Sequence, residues 1–369
     1  MYNKTVKRLN CSLVGLIVFF LAATAFAKTP AKYGIFGENY YEAQQILSKM
    51  TMDERIAQTI IAEYQDGESV AEMSQYQFGG YIFFTNAFRN KDVATVQAMI
   101  TDMQSAAKFP LLTAVDEEGG IVTRVSQNPQ LVAAKFASPQ SLYQDGGLER
   151  IRQDTIDKSD FLRNLGLNLN LAPVVDVSVN PSDFMYSRSL GEDAALTAEY
   201  AKTVIEASQG TGVSYTLKHF PGYGNNVDTH TGTAVDTRTY EEILQNDLEP
   251  FRAGITASAE AVLVSHNVVT SIDPEIPASL SAPIHKLLRN ELGFTGVILT
   301  DEITMGALAE YDNAAVRALQ AGNDMIITKD AIKNFQEIQQ AVSSGELDES
   351  IINRAALRVI AWKLYKGLF

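Results

Sequence analysis

Residues 218–230 run Lys218, His219, Phe220, Pro221, Gly222, Tyr223, Gly224, Asn225, Asn226, Val227, Asp228, Thr229, His230. Two of the chain's four histidines fall in this one stretch, with a lysine and an aspartate beside them. Asp228 and His230 stand two apart at its end, where a carboxylate can pair with an imidazole. Such a pair moves protons near neutral pH, because histidine titrates there and the carboxylate fixes its tautomer. Gly222, Gly224 and the asparagines mark a loop, so the pair also reads as an exposed polar turn.

Three other places carry chemistry of similar promise. Asp301 and Glu302 follow the apolar run 296–300. A carboxylate there can serve as a nucleophile, a metal ligand, a surface charge or the cap of a helix beginning near Ile303. Asp116, Glu117 and Glu118 join another apolar run to Gly119 and Gly120, with Arg124 close behind. Carboxylates and an arginine together suit multidentate recognition of sugar hydroxyls, and equally a salt-bridged rim. Arg188, between Ser187 and Ser189, carries the same two readings.

Several chemistries lack their sequence supports. There is one cysteine and no His-x-x-x-His pair, and Lys218 beside His219 would repel a cation, so a metal site is not favoured. No Gly-x-Ser-x-Gly elbow, no dinucleotide fingerprint after a strand and no phosphate loop is present. No cofactor is called for. The formal charge of −14 makes nucleic acid and anionic lipid poor partners.

The elements that must position these groups alternate. Strand-like runs occur at 58–63, 80–84, 111–116, 168–175, 214–219, 261–266, 296–301 and 324–328, the first of them also compatible with helix. Several are continuously apolar, as in parallel strands covered on both faces. Amphipathic stretches at 92–107, 197–209, 241–258, 283–292 and 314–320 lie between them, and 348–368 reads as a final helix. This alternation implies an α/β fold, and about eight strands fit a single (β/α)8 barrel better than a doubly wound sheet. In such a barrel Asp116, Asp176, Lys218 with His219, His266 and Asp301 would all reach one mouth.

The first 27 residues read as a secretory signal peptide. Lys4, Lys7 and Arg8 precede the apolar run 13–23, and Ala25-Phe26-Ala27 fits a cleavage site. The run is short for a membrane anchor, so no stable span is expected after cleavage. Cys11 precedes that run, the wrong place for a lipoprotein cysteine. Residues 28–369 would then form a cysteine-free exported barrel, periplasmic or extracellular, more acidic by three charges than the whole chain.

Taken together and in order, the segments around Asp116, 171–176, 187–189, 218–230, 265–266 and 296–302 resemble glycoside hydrolase family 3. The likeness covers about residues 48–330 and is nearest to the β-N-acetylglucosaminidase branch. It implies a retaining mechanism with Asp301 as nucleophile, His230 as acid and base, and Asp228 orienting His230. The Asp-His pair departs from the two carboxylates most glycosidases use. The same resemblance implies that Asp116, Arg124, Arg188, Lys218 and His219 hold the N-acetylglucosamine ring, from chitin fragments or muropeptides. Four features depart from the commoner pattern: Tyr223 in place of histidine, a shorter loop from Gly224 to Asp228, Glu302 in place of aspartate, and Ile121 in place of arginine. A phosphorylase and a non-catalytic sugar-binding barrel are the alternatives on the same scaffold.

Overall fold

The computed structural model describes residues 34–226, 229 and 232–369. The expected signal peptide therefore lies outside the described residues, as do Asp228 and His230. Among the described residues eight parallel strands close a barrel: β1 (Ile60–Glu63), β2 (Gly80–Ile82), β3 (Leu112–Val115), β4 (Leu169–Asn170), β5 (Ser214–Phe220), β6 (Ala261–Val264), β7 (Val297–Glu302) and β8 (Met325–Thr328). Each pairs with its sequence neighbours, and β8 returns to β1 with Ile60 opposite Ile326. The expected (β/α)8 barrel is what forms, and the ambiguous first run is a strand.

Why these runs become strands is visible in their burial. Successive side chains point to opposite faces of a strand. Ile60 and Ala62 pack outward under the helices, while Ile61 points into the barrel. Val262, Ile298 and Ile326 repeat the outward position, and Leu263, Leu299 and Ile327 the inward one. Both faces are apolar because both are covered, and the sequence loses its polar alternation as a result. The expected strand at 168–175 is shorter, with Leu169 and Asn170 in the ladder and a further bridge from Val174 to Lys218. Pro173 between them brings no N–H to a ladder.

The N-terminal end of the barrel is plugged. Phe36, Leu47 and the helix Glu349–Tyr365 close it, with Trp362 fully buried and its indole N–H donating to Glu260 at 2.7 Å. Asp348 caps that helix through the Ser350 amide. The helical reading of 348–368 thus holds to within a few residues, and its buried face also takes in Trp362 and Lys363.

Helix Pro139–Asn164, kinked where Gly146 and Gly147 leave helical geometry, shows no simple apolar stripe. Its buried face includes Asp154, Thr155, Lys158 and Ser159. Lys158 bonds Asp154 at 3.0 Å and the Glu118 carbonyl at 3.2 Å. A helix that packs polar groups under a charged loop leaves no clean 3.6-residue apolar pattern for a sequence to display.

Candidate active site

The C-terminal ends of the strands open on a cavity of about 430 Å³. Asp116, Arg124, Arg188, Lys218, His219 and Asp301 all line it. Six of the expected site residues, drawn from segments nearly two hundred residues apart, therefore meet at one place. No group of three or more His, Cys, Asp or Glu side chains among the described residues is arranged to hold a metal.

The loop after β3 is shaped by Glu117. Its Oε2 accepts the amides of Arg124 at 2.9 Å and Val125 at 2.8 Å, and its Oε1 takes the Ser126 hydroxyl. Its own amide donates to Asn170 Oδ1 at 3.0 Å, and Asn170 Nδ2 donates back to its carbonyl at 3.1 Å. Glu117 thus holds the loop while Asp116 and Glu118 reach the cavity. Gly119 follows with φ +102, and a Cβ there would lie 2.1 Å from the Ala137 carbonyl oxygen. No other residue fits that turn without rearrangement.

Glu118 is the centre of the charged floor. Arg188 donates to it twice, from Nε at 3.0 Å and Nη2 at 2.7 Å. Lys218 Nζ lies 2.7 Å from Glu118 Oε1 and 2.8 Å from Asp116 Oδ1. Burial pushes the Glu118 carboxyl up, but the Lys218 and Arg188 charges outweigh it and hold the group well below the carboxylate range. Burial opposes the Lys218 charge, and Asp116 and Glu118 reverse that and raise its pKa. Glu118, Arg188 and Lys218 therefore all carry their charges at neutral pH. Arg124 sits higher on the rim, 3.9 Å from Asp116 and over the Phe84 ring.

At the end of β5 the Lys218–His219 peptide is cis, and both side chains line the cavity. His219 Nδ1 lies 2.7 Å from Asp176 Oδ2, and Arg188 Nη2 lies 3.4 Å from His219 Nε2. With Nδ1 turned to Asp176, Nε2 is the ring nitrogen that faces Arg188. Asp176 was legible as a polar strand end, but its task is to orient His219 rather than to meet a ligand directly.

Asp301 ends β7. Burial pushes its carboxyl up, yet His266, His219, the Glu302 amide at 2.8 Å and Lys218 together bring it below its ordinary value. An ionised carboxylate therefore faces the cavity. His266, expected at the mouth, is instead fully buried, with Nδ1 2.8 Å from the Ser279 hydroxyl and Nε2 3.0 Å from the Glu302 carbonyl. It supports the turn that carries Asp301.

Sequence reasoning gave Glu118 no role of its own, although a signal was present. Side chains two apart in an extended segment face the same way, so Asp116 and Glu118 belong together and Glu117 apart. It also noted Tyr223 only as a departure. The phenol is buried against His219, with ring centroids 5.6 Å apart, and its hydroxyl meets Thr229. Asp228 and His230 flank Thr229 in the sequence and are not among the described residues.

Residues 51–362 match the glycosyl hydrolase family 3 N-terminal domain. The chain is 30% identical over 326 residues to the β-hexosaminidase LpqI of Mycobacterium tuberculosis, covering 84% of this chain and 82% of that protein. It is 33% identical over 289 residues to a β-hexosaminidase of Xanthomonas campestris, covering 75% of this chain and 86% of the relative. Among solved structures, a family 3 β-N-acetylglucosaminidase from Paenibacillus superposes with a TM-score of 0.81 at 29% identity. That match covers 86% of this chain and 63% of the longer Paenibacillus protein. A family domain spanning most of the chain, on the barrel and charged cavity just described, makes this protein a member of glycoside hydrolase family 3.

Proposed function

We propose that the enzyme is an exported, retaining exo-β-N-acetylglucosaminidase. It removes terminal β-linked N-acetylglucosamine from peptidoglycan- or chitin-derived fragments. The observation that carries this reading is Asp301, a carboxylate held ionised at the mouth of the barrel and facing a floor built of Asp116, Glu118, Arg188, Lys218 and His219. Relatives named β-hexosaminidase over most of the chain give the same direction for the sugar.

The floor grips the terminal sugar. Asp116 accepts from ring hydroxyls, while Arg188, Lys218 and Arg124 donate to ring and acetamido oxygens. Charge-assisted bonds of this kind fix the ring for in-line attack. Asp301 attacks the anomeric carbon and displaces the aglycone oxygen, which His230 protonates. His230 then takes a proton from water as that water attacks the same carbon, and the bond to Asp301 breaks. Asp228 steadies the imidazolium that enters the first step and is formed again in the second; between the two steps the ring is neutral and ready to act as base. An Asp-His pair replaces the second carboxylate of most glycosidases, and general acid–base assistance contributes about 10²–10⁴ in rate.

Export rests on the basic start, apolar run and Ala-x-Ala of residues 1–27. No helix among the described residues is long and apolar enough to cross a membrane. Product analysis by mass spectrometry, with muropeptides and chito-oligosaccharides supplied separately and with or without phosphate, tests the whole reading. Free N-acetylglucosamine released from the non-reducing end, unchanged by phosphate, is the expected product. A glycosyl phosphate would make the enzyme a phosphorylase, and binding without turnover would make it a sugar-binding barrel.

A further inference from the structure

We propose that Tyr223 is a positioning residue for the acid–base step. Its hydroxyl holds Thr229, the residue between Asp228 and His230. The inference rests on the proposed reaction and adds to it a group that none of the charged residues supplies.

The hydroxyl spends its hydrogen-bonding capacity on one residue. Tyr223 Oη lies 2.8 Å from Thr229 Oγ1, and the Thr229 amide donates to the same oxygen at 3.0 Å. The Thr229 carbonyl accepts from the Ala307 amide at 3.2 Å. Thr229 is thereby held by its N–H, its carbonyl and its side chain, and is buried to 1% exposure. Ala307 lies just beyond β7, so the same residue is docked against the segment that follows Asp301.

Tyr223 is itself fixed. Its amide donates to Asp176 Oδ1 at 2.8 Å, and its carbonyl takes Asn267 Nδ2 at 3.4 Å. Its ring packs between His219 and Phe184, at centroid distances of 5.6 and 5.7 Å. Asp176 also holds His219. One carboxylate therefore sets both the ring that faces the sugar and the phenol that holds Thr229. Burial pushes the phenol up to about 12, so it stays neutral and keeps its proton as a donor throughout the working pH range. A residue tied this closely to the sugar floor at one end and to Thr229 at the other fixes the residue between Asp228 and His230 relative to that floor.

Misplacing an acid and base has a kinetic signature that loss of packing lacks. Poor leaving groups need protonation and good ones do not, and deglycosylation needs a base unless an anionic nucleophile replaces water. The test compares the unaltered enzyme with Tyr223→Phe on N,N′-diacetylchitobiose and on the 2,4-dinitrophenyl glycoside of N-acetylglucosamine. For Tyr223→Phe, kcat/KM should fall at least about tenfold on the disaccharide and less than about threefold on the dinitrophenyl glycoside. Azide should restore kcat on the activated substrate with glycosyl azide as product, since azide attacks the anomeric carbon without needing a base. Thr229→Val, which removes only the Oγ1 partner, should shift the same way by a smaller factor, and Thr229→Ser should behave as the unaltered enzyme. Equal losses on both substrates with no azide effect, or no loss at all, would overturn the inference and leave the reaction standing. No turnover of either substrate by the unaltered enzyme would overturn the reaction and this inference with it.

Discussion

The two ends of the barrel each hold a carboxylate between two cations, and they use it differently. At the closed end Asp324 accepts Arg289 at 2.6 Å, and Arg358 and the Ile298 amide complete its shell. The remaining Arg289 donors go to the Phe294 and Gly296 carbonyls, at 3.0 and 2.6 Å. At the open end Glu118 accepts Arg188 and Lys218, but those cations also serve Asp116 and His219 on the wall of a cavity. The charge pattern is nearly the same. What separates the two is what the cations touch besides that carboxylate: two backbone carbonyls for Arg289, and His219 and Asp116 for Arg188 and Lys218.

Substitutions should separate the two ends. The largest effect belongs to Asp301→Asn, which keeps shape and removes the proposed nucleophile. Turnover of an aryl N-acetylglucosaminide should fall by at least about 10³-fold, several kcal/mol of barrier, with the thermal midpoint nearly unchanged. Next comes Asp324→Asn at the closed end. Leaving Arg289 and Arg358 without their carboxylate should cost about 3–5 kcal/mol of stability in urea unfolding, while kcat/KM per folded molecule stays within about twofold. Lys218→Met should do both, because the ammonium is buried and also lines the cavity. Activity should fall about 10²-fold, and stability should fall by an amount comparable to Asp324→Asn. Loss of activity in Asp324→Asn equal to its loss of folded protein would agree with this division. A specific fall in kcat would break it.

The smallest effect is on pH dependence. The folded pKa of Glu118 lies below its unfolded value of 4.5, because the Lys218 and Arg188 charges outweigh burial. Its contribution is therefore complete above that unfolded value and is lost as pH falls toward the depressed folded one. Between neutrality and pH 3 the unaltered protein should lose on the order of 2 kcal/mol more stability than Glu118→Gln, measured by urea unfolding at each pH. Identical pH slopes would mean that Glu118 is not held ionised by its partners.

Much of this architecture is legible in the sequence. The eight strand-like runs match the eight strands, several of them because parallel strands buried on both faces carry a continuous hydrophobic signal. Asp116, Lys218, His219 and Asp301 were legible because a barrel delivers its strand ends to one mouth. The helix Pro139–Asn164 was harder to read, since its buried face carries Asp154 and Lys158 rather than an apolar stripe. His266 was placed at the mouth, but nothing local records that Ser279 and the Glu302 carbonyl would hold it below the surface. Tyr223 stood out only as an odd residue in a pattern. Its partner is six residues away through a loop, and no periodicity encodes a hydroxyl reaching across one.

The central claim is that Asp301 forms the glycosyl-enzyme. A fluorinated N-acetylglucosaminyl substrate with a good leaving group slows breakdown of that intermediate, so it can be trapped and its peptides mapped by mass spectrometry. One N-acetylglucosaminyl adduct per chain is expected, on the peptide containing Asp301 and absent from Asp301→Asn. An adduct on any other residue, or sugar release with inverted anomeric configuration and no adduct, would contradict it.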